Sequence, residues 1–334
     1  MLPALTALVV LLLFGLAATA GVAAAGPWLT LRLGHRWVPK VIIRPDSAIG
    51  PGVTWFDDYF TYEYLDEHTV AIGEPRYFQQ NHSYLILGTE RAVLFDSGPG
   101  LRDMLPVVTA LTDLPVTVTA SHLHYDHVGH LHRFTDVALL DVPVLREAVR
   151  DGLLHPPPAL HLGAFERIPA HPVRVTRWLP PGGTLDLGGR RLTVRHLPGH
   201  TPDGMALYDD ERDQLFAGDL LYPGGAYAVG PGTDVLAYQR SLADVRDTIG
   251  ERTAVLVAHP GRVEVVSTPV MSRADVVRLH DGFVRILDRT ARWRGVYPRL
   301  YRLDEEFTVR TDAFFRHGTG KDRSAGPGTA EKRR

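Results

Sequence analysis

The sequence predicts an α/β protein in which two sheets pack together between helical layers. Three observations carry that expectation: apolar, β-branched runs recur in two halves of the chain, each half holds helical stretches, and several strand ends carry a His or an Asp. Open α/β sheets place ligands at such strand ends. With 334 residues, 45% of them hydrophobic and 22% charged, the chain has material for one large core or two modest ones. A net charge of -2 supplies no electrostatic footprint for nucleic acid, so a nucleic-acid partner is not expected. Cysteine is absent, which removes disulfides, thiolate ligands and cysteine nucleophiles and leaves only nitrogen and oxygen to hold a metal.

In chain order, residues 1–28 form a hydrophobic membrane anchor or signal segment, because no charged side chain precedes Arg32. A helix of that length, at about 1.5 Å per residue, crosses a bilayer core of about 30 Å. A cleaved signal peptide is the rival reading, with Ala18-Thr19-Ala20 or Ala23-Ala24-Ala25 as cleavage sites and secretion as its consequence; the basic start expected of one is missing. Arg32, Arg36, Lys40 and Arg44 follow the segment, so the positive-inside rule favours a single-pass protein with its main domain in the cytoplasm. Residues 29–54 are a connector containing Pro and Gly.

The catalytic domain is expected over 55–266. "SYLILGTERAVLFDSG" reads as two strands about a turn at Gly88–Arg91, ending at Asp96, and a helix near 101–112 follows with Pro106 in its first turns. "VTVTASH" is a β-branched strand, "GTLDLGGRRLTVRHLPGH" a hairpin about Gly188-Gly189, and "MALYDD", "QLFAGD" and "AVLVAHPG" are further strands, with a helix near 234–248. A C-terminal helical extension spans 267–316, where Ser272 and Asp275 have the spacing of a capping box. Residues 317–334 are small, polar or charged and read as a disordered tail.

The stretch "SHLHYDHVGH", residues 121–130, gathers four of the chain's sixteen histidines. Neighbouring imidazoles repel once protonated, so the crowding points to a cation. In an extended segment His122 and His124 project to the same side, and Asp126 and His127 follow as the chain begins to turn. His200, Asp219 and His259 lie just beyond later strands. The resulting assignment gives one metal His122, His124 and His200, gives a second Asp126, His127 and His259, and bridges the two with Asp219, whose oxygens can each serve a different cation. Zn²⁺ is the commonest ion for such donors, with Fe or Mn as alternatives. His196 is a candidate to lean into the site and His130 and His132 candidates to support it; exposed or capping roles are the alternatives. Asp96 reads as a buried acceptor supporting the ligand loops.

The run His122-Leu-His124-Tyr-Asp126-His127, followed by Gly199-His200-Thr201, Gly218-Asp219 and Ala258-His259, resembles the HxHxDH hydrolases of the metallo-β-lactamase superfamily over residues 60–265. The resemblance implies a four-layer αββα sandwich with the metal site along one edge of the sheets. It also implies hydrolytic chemistry in which two divalent ions acidify a shared water for attack on a carbonyl or phosphorus. Asp126 would accept a hydrogen bond from that nucleophile and help move a proton. Tyr222, three residues after Asp219 as in family lactonases and some thioesterase-like members, would donate to an oxyanion; a tyrosine packed in its own loop is the alternative. Tyr227 lies on the same Gly/Pro-rich loop, which can frame the substrate entrance.

Departures from the family narrow the substrate. Classical β-lactamases of this fold lack an aspartate at the bridging position, and flavin-linked members carry a glutamate where this chain has His124. An acyl substrate such as a thioester or lactone is the leading expectation. Phosphodiester hydrolysis, iron-dependent persulfide oxidation and a non-catalytic membrane-tethered metal-binding module using the helix near 272–294 as a contact surface are the alternatives. Oligomeric state is not read from the sequence.

Overall fold

The computed structural model describes residues 48–261, 265–295 and 297–312. The expected anchor, most of the connector and the expected tail lie outside the described residues. Among the described residues no helix is long and apolar enough to cross a membrane.

Two six-stranded mixed sheets form the centre. The first orders Thr54–Trp55, Thr61–Asp66, Thr69–Gly73, His82–Leu87, Ala92–Phe95 and Val116–Thr119 side by side. The second orders Thr184–Asp186, Arg191–His196, Met205–Asp209, Gln214–Gly218, Ala254–Val257 and Val270–Met271. Each sheet contains one parallel pair joined through a helix. Ala92–Phe95 pairs with Val116–Thr119 across helix Leu105–Leu111, and Gln214–Gly218 pairs with Ala254–Val257 across helix Val235–Thr248. The two crossovers end at the same edge, which the strand termini supply with His and Asp.

The period-two alternation of strands sorts the side chains into layers. Phe216, Leu256 and Leu207 join the core shared with the first sheet, where Phe216 meets Tyr84 with ring centroids 5.4 Å apart. Their neighbours Leu215, Ala217, Val255, Val257 and Ala206 face the other way, under the helices. There Tyr238 of helix Val235–Thr248 stacks on Phe283 of helix Arg273–Leu287 at 4.6 Å. Val107 and Val108 of helix Leu105–Leu111 belong to the first core. Helix, sheet, sheet and helix layers therefore follow one another as expected.

The expected helices and hairpin appear where the sequence signals put them. Asp234 caps Val235–Thr248 by accepting from the Leu236 and Ala237 amides, and Ser272 and Asp275 form the reciprocal capping box. Gly188 and Gly189 both have positive φ in the hairpin turn. The 267–316 segment is not wholly helical. Its helix stops at Leu287, and Trp293–Arg294, Arg299–Arg302 and Thr308–Thr311 form a four-stranded sheet with Gly225–Ala228 of the catalytic domain. "YRLDEEFTVRT" is a polar local hairpin, without the apolar alternation that marks a strand, and its anchoring to Gly225–Ala228 is tertiary. Nor does helix Arg273–Leu287 offer an apolar contact face, since Val276, Leu279, Phe283 and Ile286 are buried against the domain.

At the end of the sandwich bearing the Gly188-Gly189 hairpin, the two sheets are tied by Arg190, which is 1% exposed. Its Nε donates to Asp209 Oδ2 at 2.7 Å, its Nη1 to the His68 carbonyl at 2.6 Å, and its Nη2 to Gln214 Oε1 and Thr69 Oγ1 at 2.9 and 3.0 Å. A buried guanidinium is tolerated only when such partners replace water. Arg190→Met would leave the buried Asp209 carboxylate only the Arg212 amide at 3.0 Å and its guanidinium at 3.8 Å, and we expect it to lower unfolding free energy by about 3 kcal/mol. Urea denaturation checks this; a loss below about 1 kcal/mol, the range of exposed pairs, would mean the network contributes little.

Candidate metal centre

The site is built where the two crossovers finish. Beyond Thr119 the chain presents Ser121, His122 and His124 and then turns into the short helix Tyr125–Val128, which contains Asp126 and His127. Asp219 follows Gly218, His259 follows Val257 by two residues, and His200 sits in the loop after Arg191–His196. Main-chain bonds hold these ends together: the His82 amide donates to the Ala258 carbonyl at 2.8 Å, Ala258 to Gly218 at 3.1 Å, and Met205 to Ser121 at 2.7 Å. Gly218 has φ +53°, and a Cβ there would lie 2.4 Å from Ser121 Cβ. Gly199 likewise has φ +151°, and a Cβ would meet Tyr238 Cα at 2.3 Å. Only glycine lets the chain approach so closely just before Asp219 and His200.

All seven expected donors converge. The ligand atoms of His122, His124 and His200 lie within 4.8 Å of one another, as do those of Asp126, His127 and His259, and those of His122, His127 and Asp219. Asp219 spans the groups: its Oδ1 is 3.3 Å from His259 Nε2 and 3.5 Å from His127 Nε2, and its Oδ2 is 3.7 Å from His200 Nε2. His124 Nδ1 faces His200 Nε2 at 3.1 Å.

Four of the five imidazoles are oriented through Nδ1, which leaves Nε2 for the centre. His127 Nδ1 meets Asp96 Oδ2 at 2.9 Å, His200 Nδ1 the Tyr227 carbonyl at 2.8 Å, His259 Nδ1 the Gln79 carbonyl at 3.1 Å, and His122 Nδ1 the Ser121 hydroxyl at 3.0 Å. Such outer partners fix tautomer and ring plane at metal sites. Asp96 is the hub. It also accepts from the Ser121 amide at 2.6 Å and from Ser121 Oγ at 3.0 Å, so it is a buried support, as its place in "DSG" suggested.

Electrostatics sort the donors into two kinds. Burial, then His127 and the other imidazoles, hold His122 well below its usual value; burial and His200 hold His124 at about 3. Burial also opposes protonation of His127 and His259, but carboxylates outweigh it. Asp126, Asp96 and Asp219 raise His127 well above its usual value, and Asp219 with Asp126 raises His259 to about 10. Burial likewise penalises the Asp126 and Asp219 carboxylates, yet His127 and His259 hold both well below the ordinary carboxylate range. Protons here do what a cation would do. His122 Nε2, His127 Nε2 and Asp219 Oδ1 are buried with no hydrogen-bond partner, an arrangement that costs free energy unless something positive completes it. The donor set thus fits metal ions.

Other expectations resolve differently. His196 does not lean in; its Nε2 meets the Pro202 carbonyl at 2.9 Å. His130 supports the loop through Nδ1 and the Ser97 carbonyl at 3.0 Å, and His132 is exposed, stacked 4.0 Å from His171. Two contributors escaped the sequence reading. Asn81 donates to the Asp126 carbonyl at 2.8 Å and to Asp126 Oδ2 at 3.2 Å, and Tyr238 Oη donates to the Leu220 carbonyl at 2.7 Å. "QQN" before an apolar strand looks like an ordinary turn, and no local signal marks Asn81. Beside the donors opens a cleft of about 400 Å³ bounded by Phe78, Tyr222, Pro223, Tyr227, His259 and Arg310.

The sequence profile described as "Metallo-beta-lactamase superfamily" matches residues 76–259, more than half of the chain. The chain is 32% identical over 227 residues to the "Acyl-coenzyme A thioesterase MBLAC2" of Gallus gallus, covering 61% of this chain and 80% of that one. It is 30% identical over 247 residues to the human protein of the same name, covering 66% and 78%. A crystal structure of a metallo-beta-lactamase from Erythrobacter litoralis shares the fold with a TM-score of 0.51 at 17% identity, over 70% of this chain and 99% of that one. With this profile, these relatives and a site whose donors fit metal ions, the chain belongs to the metallo-beta-lactamase superfamily and is a metal-dependent hydrolase.

Proposed function

We propose that the protein hydrolyses acyl thioesters at a binuclear centre, with His122, His124 and His200 holding one ion, Asp126, His127 and His259 the other, and Asp219 bridging. The observation that carries the binuclear reading is Asp219, whose two oxygens face different imidazole groups. Zn²⁺ suits five imidazoles and two carboxylates with no thiolate. Bound divalent ions would supply Lewis acidity and a water acidified to near neutrality. Relatives named as acyl-coenzyme A thioesterases support the substrate class, as does a cleft walled by aromatic rings.

The chain's own groups then have distinct tasks. Asp126, fixed by Asn81 and held anionic by His127 and His259, is able to accept a hydrogen bond from the attacking water and so orient it. Tyr222 lines the cleft, and its Oη is buried without a hydrogen-bond partner. Burial, then the neighbouring Tyr227, Tyr238 and Asp219, push its ionisation well above the ordinary phenol value, so it stays a donor at neutral pH. That is the property needed to stabilise a developing oxyanion. The uncharged stretch before Arg32 supports tethering to a membrane with the catalytic domain in the cytoplasm. Protease protection in sealed vesicles tests that orientation: cleavage of the domain from the lumenal side alone would reverse it.

Purified full-length protein should contain bound metal by elemental analysis and should hydrolyse a thioester in preference to a lactone, a phosphodiester and a β-lactam. Preference for the phosphodiester, or oxygen consumption with a persulfide, would replace this reading. Asp219→Ala should reduce metal content and abolish turnover; full activity at unchanged stoichiometry would remove the bridge. Asp96→Asn presents a donor where two donors already point, and should weaken metal affinity by about 10- to 100-fold, measured by competition with a chelating dye. Tyr222→Phe should lower kcat by about 100-fold with little change in KM. Wild-type kcat in that variant would make Tyr222 a packing residue.

A further inference from the structure

Arg310 lies outside the stretch matched by the superfamily profile, yet it forms part of the cleft wall. Its strand, Thr308–Thr311, pairs in parallel with Gly225–Ala228, and the register sets Arg310 directly opposite Tyr227. The guanidinium lies over the Tyr227 ring, 4.7 Å from its centroid, and Tyr227 in turn stacks on Tyr222 at 5.3 Å. A row of Arg310, Tyr227 and Tyr222 thus runs along the cleft that Asp219 and His259 also line.

The charge in that row is unmatched. Of the other arginines over aromatic rings, Arg102, Arg146 and Arg278 each form an ion pair, with Asp58, with Asp141, and with Asp275, Asp304 and Glu306 respectively, whereas Arg76 over Trp55, away from the cleft wall, forms none among the described residues. Arg310 has no carboxylate within 4.0 Å among the described residues, although it is only half-exposed. Stacking satisfies the face of a guanidinium and leaves its in-plane donors free. Those donors form a planar fork suited to a carboxylate or a phosphate. The four-stranded sheet therefore brings a fixed, uncompensated cation to the cleft.

We propose that Arg310 is the anion-recognising residue of the substrate cleft, selecting acyl substrates that carry a carboxylate or phosphate away from the scissile carbonyl. Phe78 and Tyr227, 39% and 42% exposed, offer the apolar surface between that anion and the centre. Substrate identity here rests on the thioesterase reading; charge selection at the cleft does not. The test measures calorimetric binding of three non-hydrolysable thioethers to the metal-loaded full chain: an S-alkyl phosphopantetheine, an S-alkylglutathione and the neutral S-alkylpantetheine. Wild type should bind at least one anionic probe about tenfold more tightly than the neutral one, and which one identifies the anion. Arg310→Gln should bring that ratio to about one, Arg310→Lys should restore part of it, and Arg191→Gln, an exposed change on the Gly188-Gly189 hairpin, should leave it intact. Equal binding of charged and neutral probes by wild type, or an unchanged ratio in Arg310→Gln, overturns the proposal. An Arg310-dependent ratio in a protein that cleaves no thioester would sustain the subsite while removing the thioesterase reading. Thioester turnover without charge preference would do the reverse.

Discussion

The structure depends on holding seven polar donors face to face in a space that excludes most water. Such an arrangement opposes folding, because each unpaired lone pair forfeits hydration and the two carboxylates repel. The rest of the domain counters that cost with rigidity. Two parallel strand pairs, each closed by a helix, bring four chain segments to one edge, and cross-links such as His82 to Ala258 and Met205 to Ser121 stop those segments from separating. Asp96 ties three groups together. One carboxylate fixes the Ser121 amide, the Ser121 hydroxyl and the His127 ring, so the first and last parts of the HxHxDH run cannot move independently. Protons on His127 and His259 satisfy the pair of carboxylates only partly, which makes a cation the better partner.

Much of this was legible because the relevant signals are local. His122 and His124 are two apart on an extended segment, and that spacing alone puts both rings on one side. The order of Gly199-His200 and Gly218-Asp219 after strands was legible, whereas the close approach of those glycines to Tyr238 and Ser121 is seen only in the fold. The capping pair Ser272 and Asp275 is likewise a local signal. What could not be read was nonlocal. Asn81 reaches Asp126 across 45 residues, and Arg190 gathers partners from His68 to Gln214; neither has a neighbour in sequence that announces the contact. The C-terminal strands fall partly in the same category, since Thr308–Thr311 forms a local hairpin with Arg299–Arg302 but joins the domain by pairing with the distant Gly225–Ala228.

That pairing connects architecture to selectivity. The metal-binding edge is made by segments within the superfamily profile, whereas one wall of the cleft comes from a segment beyond it. Strand Gly225–Ala228, which follows Tyr222, joins the two parts. Tyr227 lies in that strand and stacks on Tyr222 just before it, so the four-stranded sheet backs the residue proposed to stabilise the oxyanion. Arg190 holds the sheets together at the other end of the sandwich.

Charge accounting favours the same direction of recognition. The donor set contributes two carboxylates and five imidazoles, so the two dications of the proposed centre, having displaced the protons, would leave the floor of the cleft net positive. Arg310 adds to that field at one wall, although the chain as a whole is at -2. The net charge, which bears on nucleic acid, is silent about a small anionic substrate. What a substrate meets is the local field inside a low-dielectric recess, where a few fixed positive groups outweigh distant, screened carboxylates. A neutral ester would gain from the aromatic walls alone, while an anionic thioester would gain from the walls, the field and the guanidinium fork together.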